Sequence, residues 1–216
     1  MKKIIITLAF VVLPAITVFA NNGNSLQNLV ISTGTVSNSQ IEDFFKTENF
    51  SKIASNFNVK KENFDLKTAE VIKIDETSNL IRLKVNNGSR IDYVMLMPNN
   101  SVALYEKNLV NQNGDGSIEQ YDVNGILVAN FDVRKKEDGK FNVKLNFVSP
   151  VASLADQLSC IKETYDTIKK TCDRDTTCSI SCDLSPQCAV IMYGVAAAHC
   201  AASGNKPSKG ASTDLN

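Results

Sequence analysis

The sequence predicts an α+β protein in two parts. The first is an antiparallel β-meander with one helix, and the second is a disulfide-stapled helical hairpin. Three observations carry this expectation. Apolar residues alternate with period two through most of residues 68–147, in short runs broken by Asn and Gly. After Ser149-Pro150 they shift to helical spacing. All six cysteines fall between Cys160 and Cys200, and none lies before them.

The chain begins with Lys2-Lys3, an apolar stretch from Ile4 to Phe19, and small or branched Val18 and Ala20 before polar Asn21. This is the grammar of a cleavable signal peptide over residues 1–20, and it implies export to the extracellular space. Residues 21–36 are rich in Asn, Ser, Gly and Thr and read as a flexible leader. Residues 37–149 form the α+β domain. Ser39 with Glu42 makes a capping-box pattern, and Ile41, Phe44, Phe45 and Ile53 then follow helical spacing. Seven strands are expected next, near residues 68–74, 80–85, 91–97, 102–105, 118–123, 126–133 and 141–147. Asn86-Asn87-Gly88, Asn124-Gly125 and Asp138-Gly139 supply turns, because Asn and Gly accept positive φ.

A helical module spans residues 151–204, and a polar tail spans 205–216. Leu154, Leu158, Ile161, Tyr165 and Ile168 line one helix face. Asp173–Thr177 is a polar break, and a second helix is expected from about Pro186 to Ala202. The gaps between Cys160, Cys172, Cys178, Cys182, Cys188 and Cys200 are 11, 5, 3, 5 and 11 residues. Many connectivities are open to six cysteines. The palindromic spacing favours a nested set, Cys160–Cys200, Cys172–Cys188 and Cys178–Cys182, across a hairpin. Positions twelve apart do not share the face of a straight helix, so one helix must bend or end early for that set to form. Bridges are expected rather than a metal site, since the chain has no Cys-x-x-Cys pair and carries an export signal. A module this small also needs staples to offset its chain entropy.

Charge narrows the function. The 23 Lys and Arg balance the 23 Asp and Glu, so no basic field draws the chain to nucleic acid. No nucleophile elbow, paired carboxylate or phosphate loop is visible. The single histidine, His199, adjoins a cysteine expected to be bridged. The chain therefore reads as non-enzymatic, with no cofactor. Residues 111–122 fit part of a calcium-loop template, with Asn111, Asn113, Asp115, Glu119 and Asp122 at ligand positions. Asn opens that loop, Asp closes it and strands flank it, so a polar turn between strands is the favoured reading.

The run Ala189–Ala198 is apolar on all sides. It reads either as a helix buried between its partner helix and the sheet, which sequence physics favours, or as one that enters a target-cell membrane. Residues 151–216 hold six Lys or Arg and seven Asp or Glu, so the module has no cationic pull toward anionic lipid.

Cys178-Ser179-Ile180-Ser181-Cys182, then Cys188, then the apolar Ala/Val/Gly run to Cys200 resembles the core of halocin-type bacteriocins. The resemblance covers about residues 160–200. It implies a cysteine-rich antimicrobial peptide made as the C-terminus of a longer exported precursor, with cleavage between Phe147 and Ser159. It further implies that the N-terminal part serves as propiece or immunity domain and inhibits the peptide intramolecularly, and that the target-cell membrane is the partner. The alternative is a secreted or envelope-associated binding or structural protein whose stapled hairpin is only a brace.

Overall fold

The computed structural model describes residues 16–17, 30–33, 38–73, 79–96, 103–147 and 155–202. Its centre is one nine-stranded antiparallel sheet in which spatial order follows chain order. The strands are β1 (Ile16–Thr17), β2 (Val30–Thr33), β3 (Phe64–Lys73), β4 (Asn79–Asn87), β5 (Arg90–Leu96), β6 (Ala103–Asn108), β7 (Gly116–Tyr121), β8 (Leu127–Lys135) and β9 (Phe141–Phe147). All seven expected strands are present. Short turns join β4 to β5, β6 to β7, β7 to β8 and β8 to β9, because antiparallel pairs need only a tight connection, whereas helices stand between β2 and β3.

Two differences concern the N-terminal part. The supposed leader contributes β2, where Ile31 pairs with Ile72 and Ser32 with Val71. A short apolar run within a polar segment was enough to join the sheet edge. Within the proposed signal peptide, Ile16 and Thr17 pair with Ile31 and Val30, and the rest lies outside the described residues. Strand β3 also starts earlier than the period-two pattern suggests. A register shift between Asp65 and Glu70 breaks the alternation that marks a strand in sequence.

The expected first helix is divided into α1 (Asn38–Phe45) and α2 (Glu48–Phe57). Thr47 makes the division: its Oγ1 accepts a bond of 3.2 Å from the Phe50 N–H and caps α2. Asn58 ends α2 in the left-handed conformation, with φ 52°.

The sheet is covered on both faces, as the near-continuous burial of β4 from Leu80 to Leu83 requires. Side chains alternate along each strand, so successive residues serve opposite cores. Ile81, Leu83, Val85, Val94, Leu96, Ala103 and Tyr105 pack beneath α1 and α2 with Ile41, Phe44 and Ile53. Ile72, Leu80, Met95, Leu104, Ile118, Ala129, Phe131 and Val133 face the C-terminal helices. Residues 148–154, which hold most of the expected cleavage zone, and the tail lie outside the described residues.

Candidate functional site

The C-terminal module has three helices instead of two: α3 (Ala155–Arg174), α4 (Thr176–Leu184) and α5 (Gln187–Ala202). Asp175, within the expected polar break, caps α4 by accepting a bond of 2.8 Å from the Cys178 N–H. This extra helix decides the disulfides. Cys160 is bonded to Cys200, the outer pair of the nested set, with Cα atoms 6.0 Å apart. The two inner pairs are corrected: Cys172 is bonded to Cys178 and Cys182 to Cys188, with Cα separations of 5.2 and 5.0 Å. Cys178 and Cys182 sit one turn apart on α4 and are committed to its two neighbours. Cys172 stands twelve residues from Cys160 on α3, and so does Cys188 from Cys200 on α5. A third of a turn separates the directions of each such pair. The two inner cysteines therefore meet α4 rather than each other.

Helix α5 is the least polar helix among the described residues. Val190 through Ala198 are all buried where α5 lies between α3 and the sheet. Gly194 permits the close approach. A Cβ there would stand 2.7 Å from Met95 Sδ and 3.3 Å from Leu80 Cδ1. Tyr193 packs edge-on against Phe131, with ring centroids 6.0 Å apart, and its hydroxyl donates to the Val128 carbonyl at 3.4 Å. Burial pushes that phenol above its ordinary pKa. Among the described residues no single helix is long and apolar enough to cross a membrane. The pair α4 and α5 together reaches that length and composition, but it is bent by 115°.

At the start of α5 a charged cluster ties the module to the sheet. Arg82 of β4 is 1% exposed and lies opposite Glu70 in the ladder. Its guanidinium donates to Glu106 Oε2 and Oε1 at 3.1 and 2.7 Å, to Glu70 Oε2 at 2.9 Å, and to Gln187 Oε1 of α5. It also covers the Tyr93 ring at 3.5 Å from the centroid. Burial acts most strongly on Arg82 and opposes its charge. The Glu106 and Glu70 carboxylates outweigh burial and hold the guanidinium above its ordinary pKa. Burial likewise raises the Glu106 carboxyl, against the pull of Arg82. The bidentate pairing makes this an ion pair at neutral pH. No motif announces the cluster. Arg82 and Lys84 alternate alike in the sequence, and only the long-range register brings Glu70, Glu106 and Gln187 to Arg82.

A cleft of about 240 Å³ opens where α3, α4 and α5 meet the start of β9. Tyr165, Met192, Phe141 and Cys182 line it, with Lys169 and Asp173 at hand. Burial pushes the Tyr165 phenol up to about 12, so it is neutral at physiological pH. Behind Cys182 the sulphurs crowd together. Cys182 Sγ is 3.4 Å from Cys172 Sγ, although the two belong to different bridges. The sulphurs of Cys172, Cys182 and Cys188 all lie within 4.8 Å of one another.

Residues 111–122 run from a turn through β7 to the start of the next hairpin. Asn111 Oδ1 accepts from the N–H groups of Asn113 and Asp115, at 2.9 and 3.2 Å, and so closes a tight turn. Asp115 Oδ1 accepts from the Lys135 N–H. Glu119 stands in the middle of β7 and accepts from the Tyr121 hydroxyl, while Asp122 organises the next hairpin through Asn124 and Ile126. Extended backbone of roughly 3.3 Å per residue carries Asp122 far from Asn111 and Asp115, well beyond what one ion can span.

Compared with known proteins, the chain matches no family model, and no curated protein or solved structure matches it.

Proposed function

We propose that the protein is the precursor of a secreted bacteriocin-like antimicrobial peptide. Its C-terminal six-cysteine module is the active part, and its N-terminal domain keeps that part silent. The observation that carries this reading is the burial of α5. Val190–Ala198 form a continuous apolar helix whose cover is supplied by the sheet of the other domain as well as by α3. Within the whole chain that apolar surface is satisfied. Detached from residues 16–147, the module would present the α5 face that now meets Leu80, Met95 and Phe131. An exposed apolar face of that extent seeks another apolar phase, and a target-cell membrane supplies one. The three bridges would hold α3, α4 and α5 together after release.

The intramolecular cover accounts for how a producing cell could carry such a helix through export. The polar contacts at Gln187, Tyr193 and Asp183 add register to an interface that is mostly apolar and non-directional. The module's near-neutral charge favours recognition of the target through shape and apolar contact over attraction to anionic lipid.

Intact-mass analysis of culture supernatant, coupled to a growth-inhibition assay on neighbouring bacteria, tests the reading. A released fragment of about 60 residues that inhibits growth is the expected result. A full-length mature chain, stable in the medium and inert in the assay, would show that the stapled helices are a brace within a binding or structural protein.

A further inference from the structure

The inner four cysteines differ from the outer pair in access and in mutual distance. Cys160 and Cys200 are 1% and 0% exposed, which seals their bridge within the core. Cys182 is half-buried and lines the cleft among α3, α4 and α5. Directly behind it, 3.4 Å away, lies Cys172 Sγ of the neighbouring bridge. A half-buried, cleft-lining cysteine of one disulfide thus has its sulphur in contact with a buried cysteine's sulphur of another. Exchange between thiolates and disulfides requires access for the first attack and a second sulphur within reach of the thiolate it creates.

We propose that Cys172, Cys178, Cys182 and Cys188 form one thiol–disulfide exchange site. Its substrate is a dithiol, which enters by the cleft at Cys182. The sequence of bonds is as follows. One thiolate of the dithiol attacks Cys182 Sγ, forming a mixed disulfide and expelling the Cys188 thiolate, which takes up a proton. The second thiol of the reagent loses its proton and attacks its own sulphur in that mixed disulfide. It leaves as a cyclic disulfide and frees the Cys182 thiolate. The Cys182 thiolate then attacks Cys172 Sγ, and the Cys172–Cys178 bond breaks. Cys178 departs as a thiolate and is protonated. The dithiol is oxidised by two electrons, and the protein is reduced by two. The surviving inner bridge is Cys172–Cys182, with thiols at Cys178 and Cys188. The site thus passes the vacancy from the cleft inward to Cys178, which is itself buried. This inference does not depend on release of the module, since every group it uses lies within α3, α4 and α5.

The test treats the full oxidised chain with limiting dithiothreitol. Free thiols are then trapped with an alkylating agent at acid pH, and the labelled residues are identified by fragmentation mass spectrometry. The expected two-thiol species carries label on Cys178 and Cys188 while Cys160–Cys200 stays intact. Label confined to Cys182 and Cys188, or any other pair, overturns the proposal. A second arm needs no reductant. In the Cys188→Ser chain, Cys182 begins as a lone thiol beside the Cys172–Cys178 bridge. Label shifting from Cys182 to Cys178 as pH rises supports exchange, and label that stays wholly on Cys182 contradicts it.

Discussion

On one face of the sheet, α1 and α2 close the core with rings. Phe45 meets Phe50 and Phe64 edge-on at centroid distances of 4.9 and 5.2 Å, and Phe57 stacks on Tyr105 at 3.9 Å. Among the described residues no disulfide is needed there. On the other face, α3, α4 and α5 close the core with mostly small and aliphatic side chains, two tyrosines and three bridges, beside a buried arginine cluster. The first cover is bulky and interlocked with the strands it protects. The second has a smooth apolar helix against the sheet, and its covalent links run among its own helices. All three bridges stay within α3–α5, so none ties the module to the sheet. A layer built that way keeps its own integrity yet is held to its partner by packing and a few polar links, at Gln187, Tyr193 and Asp183.

The contrast can be broken most sharply at the anchor. Glu106→Ala leaves Arg82 buried without its bidentate partner, and a loss of about 3–5 kcal/mol is expected in urea unfolding of the whole chain. A change under about 1 kcal/mol would mean that the buried cluster contributes little to the fold. Next come the bridges. The Cys160→Ser/Cys200→Ser chain loses a link of sequence separation 40, and the chain-entropy relation puts the cost at about 4 kcal/mol. The Cys172→Ser/Cys178→Ser chain loses a link of separation 6, at about 2 kcal/mol. The reverse order in thermal unfolding would contradict the outer bridge as the main staple. Smaller still is Gly194→Leu, which forces a side chain into Met95 and Leu80. A loss of about 1–3 kcal/mol is expected, together with a rise in binding of an apolar dye as α5 lifts from the sheet.

The smallest effect lies on the ring-closed side and depends on pH. Asp92 is fully buried beside β6. Burial alone would raise its carboxyl, but bonds from Arg90, the Tyr105 hydroxyl and the Asn108 N–H outweigh burial and hold it below the ordinary value of 3.8. A depressed folded pKa means that folding opposes protonation. The contribution is therefore full above that ordinary value and is lost as pH falls through the folded one. Urea midpoints measured from about pH 5 down to about pH 2 should fall less steeply for Asp92→Asn than for the parent chain. Parallel curves would remove Asp92 from the account.

Most of the architecture is legible in the residues themselves. Period-two runs from Thr68 to Phe147 mark seven strands, and the all-apolar Ala189–Ala198 marks a helix that must be covered. Other features were hidden for identifiable reasons. The bulge in β3 scrambles its alternation, and β2 is too short to stand out from its polar surroundings. Helix α4 has mixed composition and begins in a polar break, so the cysteine palindrome read as one hairpin. Once α4 is present, geometry along the helices overrides symmetry in sequence. The Arg82 cluster could not have been read at all, because its partners come from residues 70, 106 and 187.

The central claim is that the sheet silences the α5 face, and a cut between the layers tests it most directly. A specific protease site placed between Phe147 and Ala155 would allow one purified sample to be compared before and after cleavage. The readout is dye leakage from phosphatidylglycerol–phosphatidylethanolamine vesicles, with the layers separated after cleavage by mild urea. The account predicts that the intact chain causes no leakage and that the freed, still-bridged module does. Equal leakage from both, or none from the freed module with its three disulfides verified by mass, would contradict it.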